Sequence, residues 1–335
     1  MVLSNMKSRA EVIFMVRNKI RLKHLSYATE DIYCGWIARY YDYCRNITAD
    51  LAPEEKAESF LTDLAVRKRL AARTQDQAFS AVLFLYQKVL EIPLGEVKSL
   101  RAKRPHQEKT SPSREQIRLF RGAVEDTATT PSRLIVDLLY GCGLRVSEPL
   151  ELRVKDVLWS EGPHGQLLLR GAKGGKDRRV PIPRSCVEPL RRQMAKARAH
   201  WDDDRAHAPD VGVPLPYALE RKYPRSPFQW HSFWVFPAQG HCTDPRSGKR
   251  VRFHILVDNI QRSVQRAARK VGLDGFITPH VLRHAYATHS KESMDSLRIL
   301  LGHSSLETTA TYLHPVVDRA SNPLDALVDG AGAEP

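Results

Sequence analysis

Apolar residues recur at three- and four-residue steps through the first hundred residues, a spacing typical of amphipathic helices. The pattern is clearest in two sets of positions: Ile13, Val16 and Ile20, and later Phe79, Val82, Leu83, Tyr86, Val89 and Leu90. Lysines and arginines lie between these positions, so each helix would carry a basic face beside its apolar face. The spacing therefore predicts a small helical domain over residues 1–104.

Residues 105–112 interrupt this pattern and are predicted to be an interdomain linker. The stretch around them is polar and basic, contains two prolines and has no apolar periodicity. Ser113 and Gln116 then match a capping box that begins the next helix. A second domain is accordingly expected over residues 113–335.

The second domain is predicted to combine helices with short strands. Helical spacing or helix-start signals occur in seven stretches: residues 132–140, from 145, 186–199, 255–271, 279–289, 294–301 and 306–313. Residues 166–183 instead resemble a β-hairpin around a Gly-Lys turn, and residues 201–250 follow no simple period. The expected fold class is mainly α with small β-hairpins (α+β).

The charge of the chain points to a polyanionic partner. Its 335 residues include 52 Lys and Arg against 38 Asp and Glu, a formal net charge of +14, and the surplus extends over both predicted domains. Five cysteines without a C-x-x-C pair predict a reduced, cytoplasmic protein without disulfides. No apolar run approaches the roughly 20 residues that span a bilayer, so no membrane role is expected.

Motifs of three other enzyme classes fail on inspection. A Walker A loop would need glycine at Arg170 and Ser or Thr at Asp177. His280 and His284 have the spacing of a zinc-protease pair, but the catalytic glutamate is absent and Arg283 would repel the cation. No Gly-x-Ser-x-Gly elbow of a hydrolase is present. Neither a metal nor a cofactor is therefore expected.

The remaining candidates suit metal-free phosphoryl transfer, and they are Arg145, Lys173, His280, Arg283, His303 and Tyr312. Two arginines stabilise the charge that develops on the oxygens of a five-coordinate phosphorus. A lysine or histidine protonates the leaving 5′ oxygen, and a tyrosine nucleophile conserves the bond energy in a phosphotyrosine. DNA is then the expected substrate.

Four segments resemble the successive active-site boxes of tyrosine recombinases, the phage-type integrases: GCGLRVSEPLELRVKDV, GAKGGKDRRVPIP, TPHVLRHAYATH and LLGHSSLETTATYLH. The N-terminal segments SYATEDIYCGWIARY and FLTDLAVRKRLAARTQDQAFSAVLFLYQKVL resemble that family's helical, SAM-like core-binding domain. The resemblance implies a DNA-binding domain followed by a mostly helical catalytic domain. It also implies a homotetramer on DNA and a monomer without it.

The same resemblance implies a role for each candidate residue. Tyr312 would be the nucleophile, Arg145 and Arg283 the phosphate clamps, and His280 and His303 further donors. The general acid would be Lys173, with Lys176 as the alternative, and Glu148 would support the arginine that precedes it by three residues.

The segment YALERKYPRSPFQWHSFWVFP resembles the insert of integron integrases, which recombine gene cassettes as folded single strands. This implies DNA contacts by six residues: Lys222, Tyr223, Pro224, Trp230, Pro237 and His254. Aromatic platforms for unpaired bases are one explanation of the insert. A satellite core beneath a long loop is the other.

Two departures from the pattern keep alternatives open. The stretch between His289 and His303 is about three residues shorter than is usual in the family, nearly one helical turn. Phe253 stands where the integron subfamily often has a histidine before His254. The expected function is cassette integration and excision in the bacterial cytoplasm, with association to the nucleoid on DNA. The alternatives are a conventional recombinase on duplex sites and a catalytically impaired DNA-binding relative.

Overall fold

The structure is a computed structural model that describes residues 8–47, 51–95, 97, 111–170, 177–215 and 219–302. The chain divides into two compact units, residues 1–108 and residues 109–335. This division lies within the segment predicted to be a linker. Each unit buries an apolar cluster of its own.

The first unit is helical, as the sequence predicts. Its helices are α1 (Arg9–Leu22), α2 (Tyr27–Arg45), α3 (Pro53–Thr62) and α4 (Ala72–Phe84). Wider helical turns continue the last two, over Asp63–Arg67 and Leu85–Leu90. Most of the apolar positions that set the helical period lie in the core or pack against it, and Val16, Ile20 and Val82 are fully buried.

The second unit contains the remaining helices: α5 (Arg114–Ala123), α6 (Ser132–Gly141), α7 (Ser147–Leu150), α8 (Arg184–His207), α9 (Leu219–Lys222), α10 (Val257–Lys270), α11 (Pro279–His289) and α12 (Met294–Leu301). The capping box predicted at Ser113 and Gln116 is present, with both of its hydrogen bonds formed. In the described part of the chain, no helix combines the length and apolarity needed to cross a membrane.

Two small antiparallel sheets complete this unit. β1 (Val157–Leu158), β2 (Gln166–Leu169) and β3 (Arg178–Pro181) form the first, in that order. Its β2–β3 pair confirms the predicted hairpin. β4 (Pro237–Thr243) and β5 (Arg250–His254) form the second, which the sequence did not predict because β4 alternates poorly between buried and exposed positions.

The helix predicted to end near Ala199 extends to His207, so the first seven residues of the aperiodic stretch 201–250 belong to α8. Residues 201–207 have no apolar period because their side chains are mostly charged. Contacts at helical spacing support this last part of the helix instead: an ion pair between Arg198 and Asp202 and a hydrogen bond between His207 and Asp203.

Candidate active site

A glycine turn brings the first catalytic box against α11. Gly143 has φ +62°, and a Cβ there would lie 2.4 Å from Cδ1 of Tyr286. Only glycine fits this conformation and this close approach. The carbonyl of Gly143 accepts a hydrogen bond of 2.8 Å from Nη1 of Arg283. The turn therefore holds the segment that carries Arg145 beside the helix that carries Arg283.

Glu148 is the centre of the arginine cluster. Its carboxylate accepts hydrogen bonds from the backbone amide and Nη1 of Arg145, at 2.7 and 2.8 Å. It accepts two more from Nη1 and Nη2 of Arg178, at 2.8 and 2.7 Å. Nη1 of Arg283 lies 3.9 Å from the same carboxylate. One acidic side chain thus holds arginines from three separate parts of the chain.

The balance of charge in this cluster favours an anion. Burial alone would raise the pKa of the Glu148 carboxyl, but the hydrogen bonds and charge of Arg178, with the bonds from Arg145, hold that pKa below its usual value. Glu148 is therefore ionised at neutral pH. Three guanidinium groups face one carboxylate, so positive charge remains for a phosphodiester.

The carboxyl end of α12 meets the same arginines. Nε of Arg178 donates a hydrogen bond of 2.8 Å to the carbonyl of Leu300, and Nη2 of Arg283 donates to the carbonyl of Leu301. The last carbonyls of a helix have no partner within the helix, and these side chains supply one. Gly302 then ends the helix with φ +63°. The chain continues from this point into His303.

His280 lies in the first turn of α11, which begins at Pro279 after the N-cap Thr278. Its side chain is exposed, and its ring is perpendicular to that of His284, with centroids 4.3 Å apart. Four predicted site residues, Lys173, Lys176, His303 and Tyr312, lie outside the described residues. The roles given to them by the sequence stay predictions.

Three of the six predicted insert contacts lie on the surface. Lys222, Tyr223 and Pro224 follow one another at the end of α9, and all three are exposed. The Tyr223 side chain is 51% exposed, and Nζ of Lys222 lies 5.3 Å from its ring centroid. The surface after α9 therefore presents an aromatic ring and a cation side by side.

Trp230 is packed rather than free. Its ring stacks on Phe233 and meets Trp201 edge-on, with centroids 6.1 Å away in both cases. The Arg198 guanidinium lies 5.3 Å from the ring. Trp230 thus belongs to a small cluster around Phe233 and Trp234, as the satellite-core explanation predicts.

Pro237 and His254 face each other across the β4–β5 pair, and both are buried. Nδ1 of His254 donates to the carbonyl of Ile255 at 2.7 Å, its ring stacks on Phe253 at 4.1 Å, and burial lowers its pKa. Packing occupies the surfaces with which these side chains would touch a base. The structure gives no support to the DNA contacts predicted for this pair.

Comparison with known proteins decides the family. The profile of the Phage integrase family matches residues 113–319, and that of the phage integrase N-terminal SAM-like domain matches residues 14–96. An integrase/recombinase of Escherichia coli is 38% identical over 326 residues, covering 95% of this chain and 94% of that protein. The chain belongs to the phage integrase family.

Two further similarities agree with this assignment. Tyrosine recombinase XerA of Pyrococcus furiosus is 33% identical over 208 residues, 59% of this chain and 57% of XerA. The chain is also similar to the crystal structure of a lambda integrase tetramer bound to a Holliday junction. The match covers 95% of this chain and 81% of the lambda integrase chain, at 15% identity and a TM-score of 0.57. The protein is a site-specific tyrosine recombinase with the fold of that family.

Two arginines of this recombinase were missed by sequence reasoning. Buried and exposed residues alternate in β3, with Arg178 and Val180 buried and Arg179 exposed. A buried arginine needs an acidic partner, so this alternation is the signal that could have identified Arg178. Arg153 is also buried, with its guanidinium 4.0 Å from the Trp234 ring. It donates to the carbonyls of Ser232 and Pro214 at 2.6 and 2.7 Å and so ties the insert to the first catalytic box.

Proposed function

We propose that this recombinase exchanges DNA strands through a covalent 3′-phosphotyrosine at Tyr312 and acts on folded single-stranded cassette sites, as integron integrases do. The exposed Lys222–Tyr223 pair on the insert is the observation that carries the choice of substrate. The arginine cluster around Glu148 supports the chemistry.

In the proposed cleavage step, Oη of Tyr312 attacks the scissile phosphorus. The Oη–P bond forms, the P–O5′ bond breaks, and the phenol proton passes to solvent. Lys173 donates a proton to the 5′ oxygen as it leaves. Attack by the 5′ hydroxyl of a partner strand reverses these bonds, so the energy of the phosphodiester is conserved.

Arg145 and Arg283 would neutralise the charge that grows on the non-bridging oxygens. The Arg145 side chain is 30% exposed and the Arg283 side chain 6%, so Arg145 offers the more accessible donors. Glu148 holds both guanidinium groups before substrate arrives, which reduces the reorganisation needed in the transition state.

The insert supports a folded single strand as the substrate. A folded single strand exposes unpaired bases, and aromatic rings accept such bases by stacking regardless of their identity. Tyr223 offers such a ring beside Lys222, which suits a base and the phosphate next to it. Trp230, which packs against Phe233 and Trp201, would instead support the insert from beneath.

For the quaternary state, we propose a monomer without DNA and a homotetramer on it. Strand exchange between two sites requires four cleavage events, and the lambda integrase structure to which this chain is similar is a tetramer on a Holliday junction. DNA is the partner that the net charge of +14 favours.

A conventional recombinase on duplex sites is the second candidate. It is favoured by the burial of Pro237 and His254 and by the packing of Trp230, because side chains that pack internally need not touch DNA. Catalytic impairment finds less support, since the shortened segment still leaves α12 bonded to Arg178 and Arg283.

The substrate proposal is tested with two labelled DNAs, a cassette-site strand folded as a hairpin and the same site as a duplex. We expect a denaturation-resistant adduct on the hairpin. Loss of one stacked base costs about 1–3 kcal/mol, so Tyr223→Ala should weaken hairpin binding roughly 5- to 150-fold while sparing the duplex. Tyr223→Phe keeps the ring and should bind normally. An adduct on the duplex alone, or equal losses of affinity for the two DNAs in Tyr223→Ala, would favour the conventional recombinase.

A further inference from the structure

The geometry of Arg178 assigns it a role beyond those predicted from the sequence. Its guanidinium makes three hydrogen bonds, two to the Glu148 carboxylate at 2.8 and 2.7 Å and one from Nε to the Leu300 carbonyl at 2.8 Å. The side chain is only 5% exposed, so its charge is well shielded from solvent. We infer that Arg178 is a positioning residue that joins the first catalytic box to the carboxyl end of α12.

Each bond of Arg178 has a distinct consequence. The pair of bonds to Glu148 fixes the orientation of that carboxylate, whose other contacts go to Arg145. The Nε bond fixes the last turn of α12 against β3. Gly302 packs close beside the same side chain, since a Cβ on this glycine would lie 3.2 Å from Cδ of Arg178. A single planar group therefore sets the distance between two parts of the site.

This arrangement bears on the nucleophile side of the reaction. Gly302 precedes His303 directly, and Tyr312 follows nine residues later. Misplacement of reacting groups by about 1 Å is enough to cost 10²-fold in rate. Arg178 would therefore act through the path of the chain that leads to His303 and Tyr312. This inference rests on the catalytic roles proposed above.

Lysine is not an equivalent replacement. An ammonium keeps the charge but lacks the planar fork that bonds both carboxylate oxygens and a carbonyl at once. Arg178→Lys is thus the informative variant, and Arg178→Gln removes the charge as well. Arg179→Gln is the matched control, because Arg179 is the next residue of β3, is 54% exposed and pairs with Glu161 on the surface.

The test measures DNA affinity and thermal unfolding for each variant. It also measures single-turnover cleavage of two substrates, one with the normal 5′ oxygen and one with sulfur as the leaving atom. The sulfur leaves without needing a proton, so it rescues a defect in proton delivery only. We expect Arg178→Gln to bind DNA as the wild type does but to cleave about 100-fold more slowly on both substrates. Arg178→Lys should also be slow on both, and Arg179→Gln should match the wild type. Lys173→Ala serves as the control that sulfur rescues.

Three results would overturn the inference. Cleavage by Arg178→Lys at the wild-type rate would show that charge alone suffices. Rescue of either variant by sulfur would assign Arg178 to proton delivery. A loss of DNA affinity as large as the loss of cleavage, or a loss of cleavage that only matches the fraction of the variant unfolded at the assay temperature, would reduce its role to folding. If the wild type itself forms no adduct with any DNA, the proposed function fails. If the wild type and Arg178→Gln cleave equally well, only the inference about Arg178 fails.

Discussion

At the residue scale, the site depends on how one buried carboxylate is shared. Glu148 contacts Arg145 and Arg178 directly and lies near Arg283, so its removal would leave buried guanidinium charge without compensation. In the proposed mechanism Glu148 therefore contributes both to the stability of the protein and to the geometry of the catalytic arginines. The two contributions are separable, because one is seen in unfolding and the other in the cleavage rate.

Glu148→Gln should reduce the free energy of unfolding by about 3 kcal/mol, the usual cost of breaking a buried ion pair. Glu161→Gln is the control, because the Glu161–Arg179 pair lies on the surface and such pairs contribute about 0–1 kcal/mol. Urea denaturation at neutral pH measures both values. Equal losses for the two variants would contradict the account of Glu148.

Gly143→Ala should destabilise the protein more than Gly272→Ala. Both glycines have positive φ, +62° and +71°, so both substitutions strain the backbone by about 1–2 kcal/mol. Only at Gly143 does the new methyl group also meet Tyr286 and Leu301, while Gly272 has open space. Overpacking adds about 1–3 kcal/mol. Thermal unfolding compares the two, and a similar midpoint for both would contradict the role of the close approach.

Residues that stand in motifs could be predicted to lie together from the sequence, while their catalytic roles stay predictions. Arg145, Glu148 and Arg283 stand in short recognisable segments, and the structure brings them together. Arg178 was missed because its importance comes from a partner 30 residues earlier in the chain and a carbonyl 122 residues later. Pro237 and His254 were chosen from a resemblance of sequence, which carries no information on whether a strand pair buries them.

At the element scale, the shortened stretch after α11 changes a connection rather than the docking of α12. α11 ends at His289, and Ser293 caps the next helix, its hydroxyl oxygen accepting a hydrogen bond from the amide of Ser296. The carboxyl end of α12 still reaches both buried arginines. A shorter connection is therefore compatible with an intact arginine cluster.

The end of α11 should make stability depend on pH. Burial, with the nearby charge of Arg114, lowers the pKa of His289 from 6.5 to about 4, and its Nδ1 lies 2.9 Å from the Tyr140 hydroxyl. Between these two pH values the unfolded chain binds the proton and the folded protein does not. Stability contributed by the neutral ring is therefore lost as pH falls from 6.5 towards 4.

His289→Gln should flatten this dependence. The variant lacks the titrating ring, so its unfolding free energy should change less than that of the wild type between pH 7 and pH 4.5. Urea denaturation at the two pH values provides the measurement. If the unfolding free energy of the variant changed between pH 7 and pH 4.5 as much as that of the wild type, the assignment to His289 would be contradicted.

Helices and the β2–β3 hairpin were predictable because their apolar residues repeat with a clear period. α8 was predicted too short because its last turns carry charged side chains without an apolar period and are supported by an ion pair and a hydrogen bond at helical spacing. One of these charged residues, Asp204, is 2% exposed and bonds Arg252 of β5 and His241 of β4. Contacts between distant segments thus decide elements that local periodicity does not.

At the scale of the whole molecule, the chain divides into two units that match the two family profiles, and the segment that resembles an insert lies in the second unit. Arg153 lies just after α7 and joins the insert to this stretch of chain. Glu148 in α7 bonds Arg178 of β3, which in turn bonds the end of α12. The insert and the arginine cluster are therefore attached to one stretch of chain. A net charge of +14 favours association with DNA, while the geometry of the arginine cluster depends on these few buried contacts.

The most direct test of the account identifies the tyrosine that carries DNA. The covalent adduct is trapped on a nicked cassette-site hairpin, digested with trypsin and analysed by mass spectrometry. The peptide of residues 299–319 contains Tyr312 as its only tyrosine, so a nucleotide on that peptide assigns the nucleophile. We expect the modified peptide from the wild type and none from Tyr312→Phe. A nucleotide on another tyrosine, or an adduct that survives Tyr312→Phe, would contradict the account.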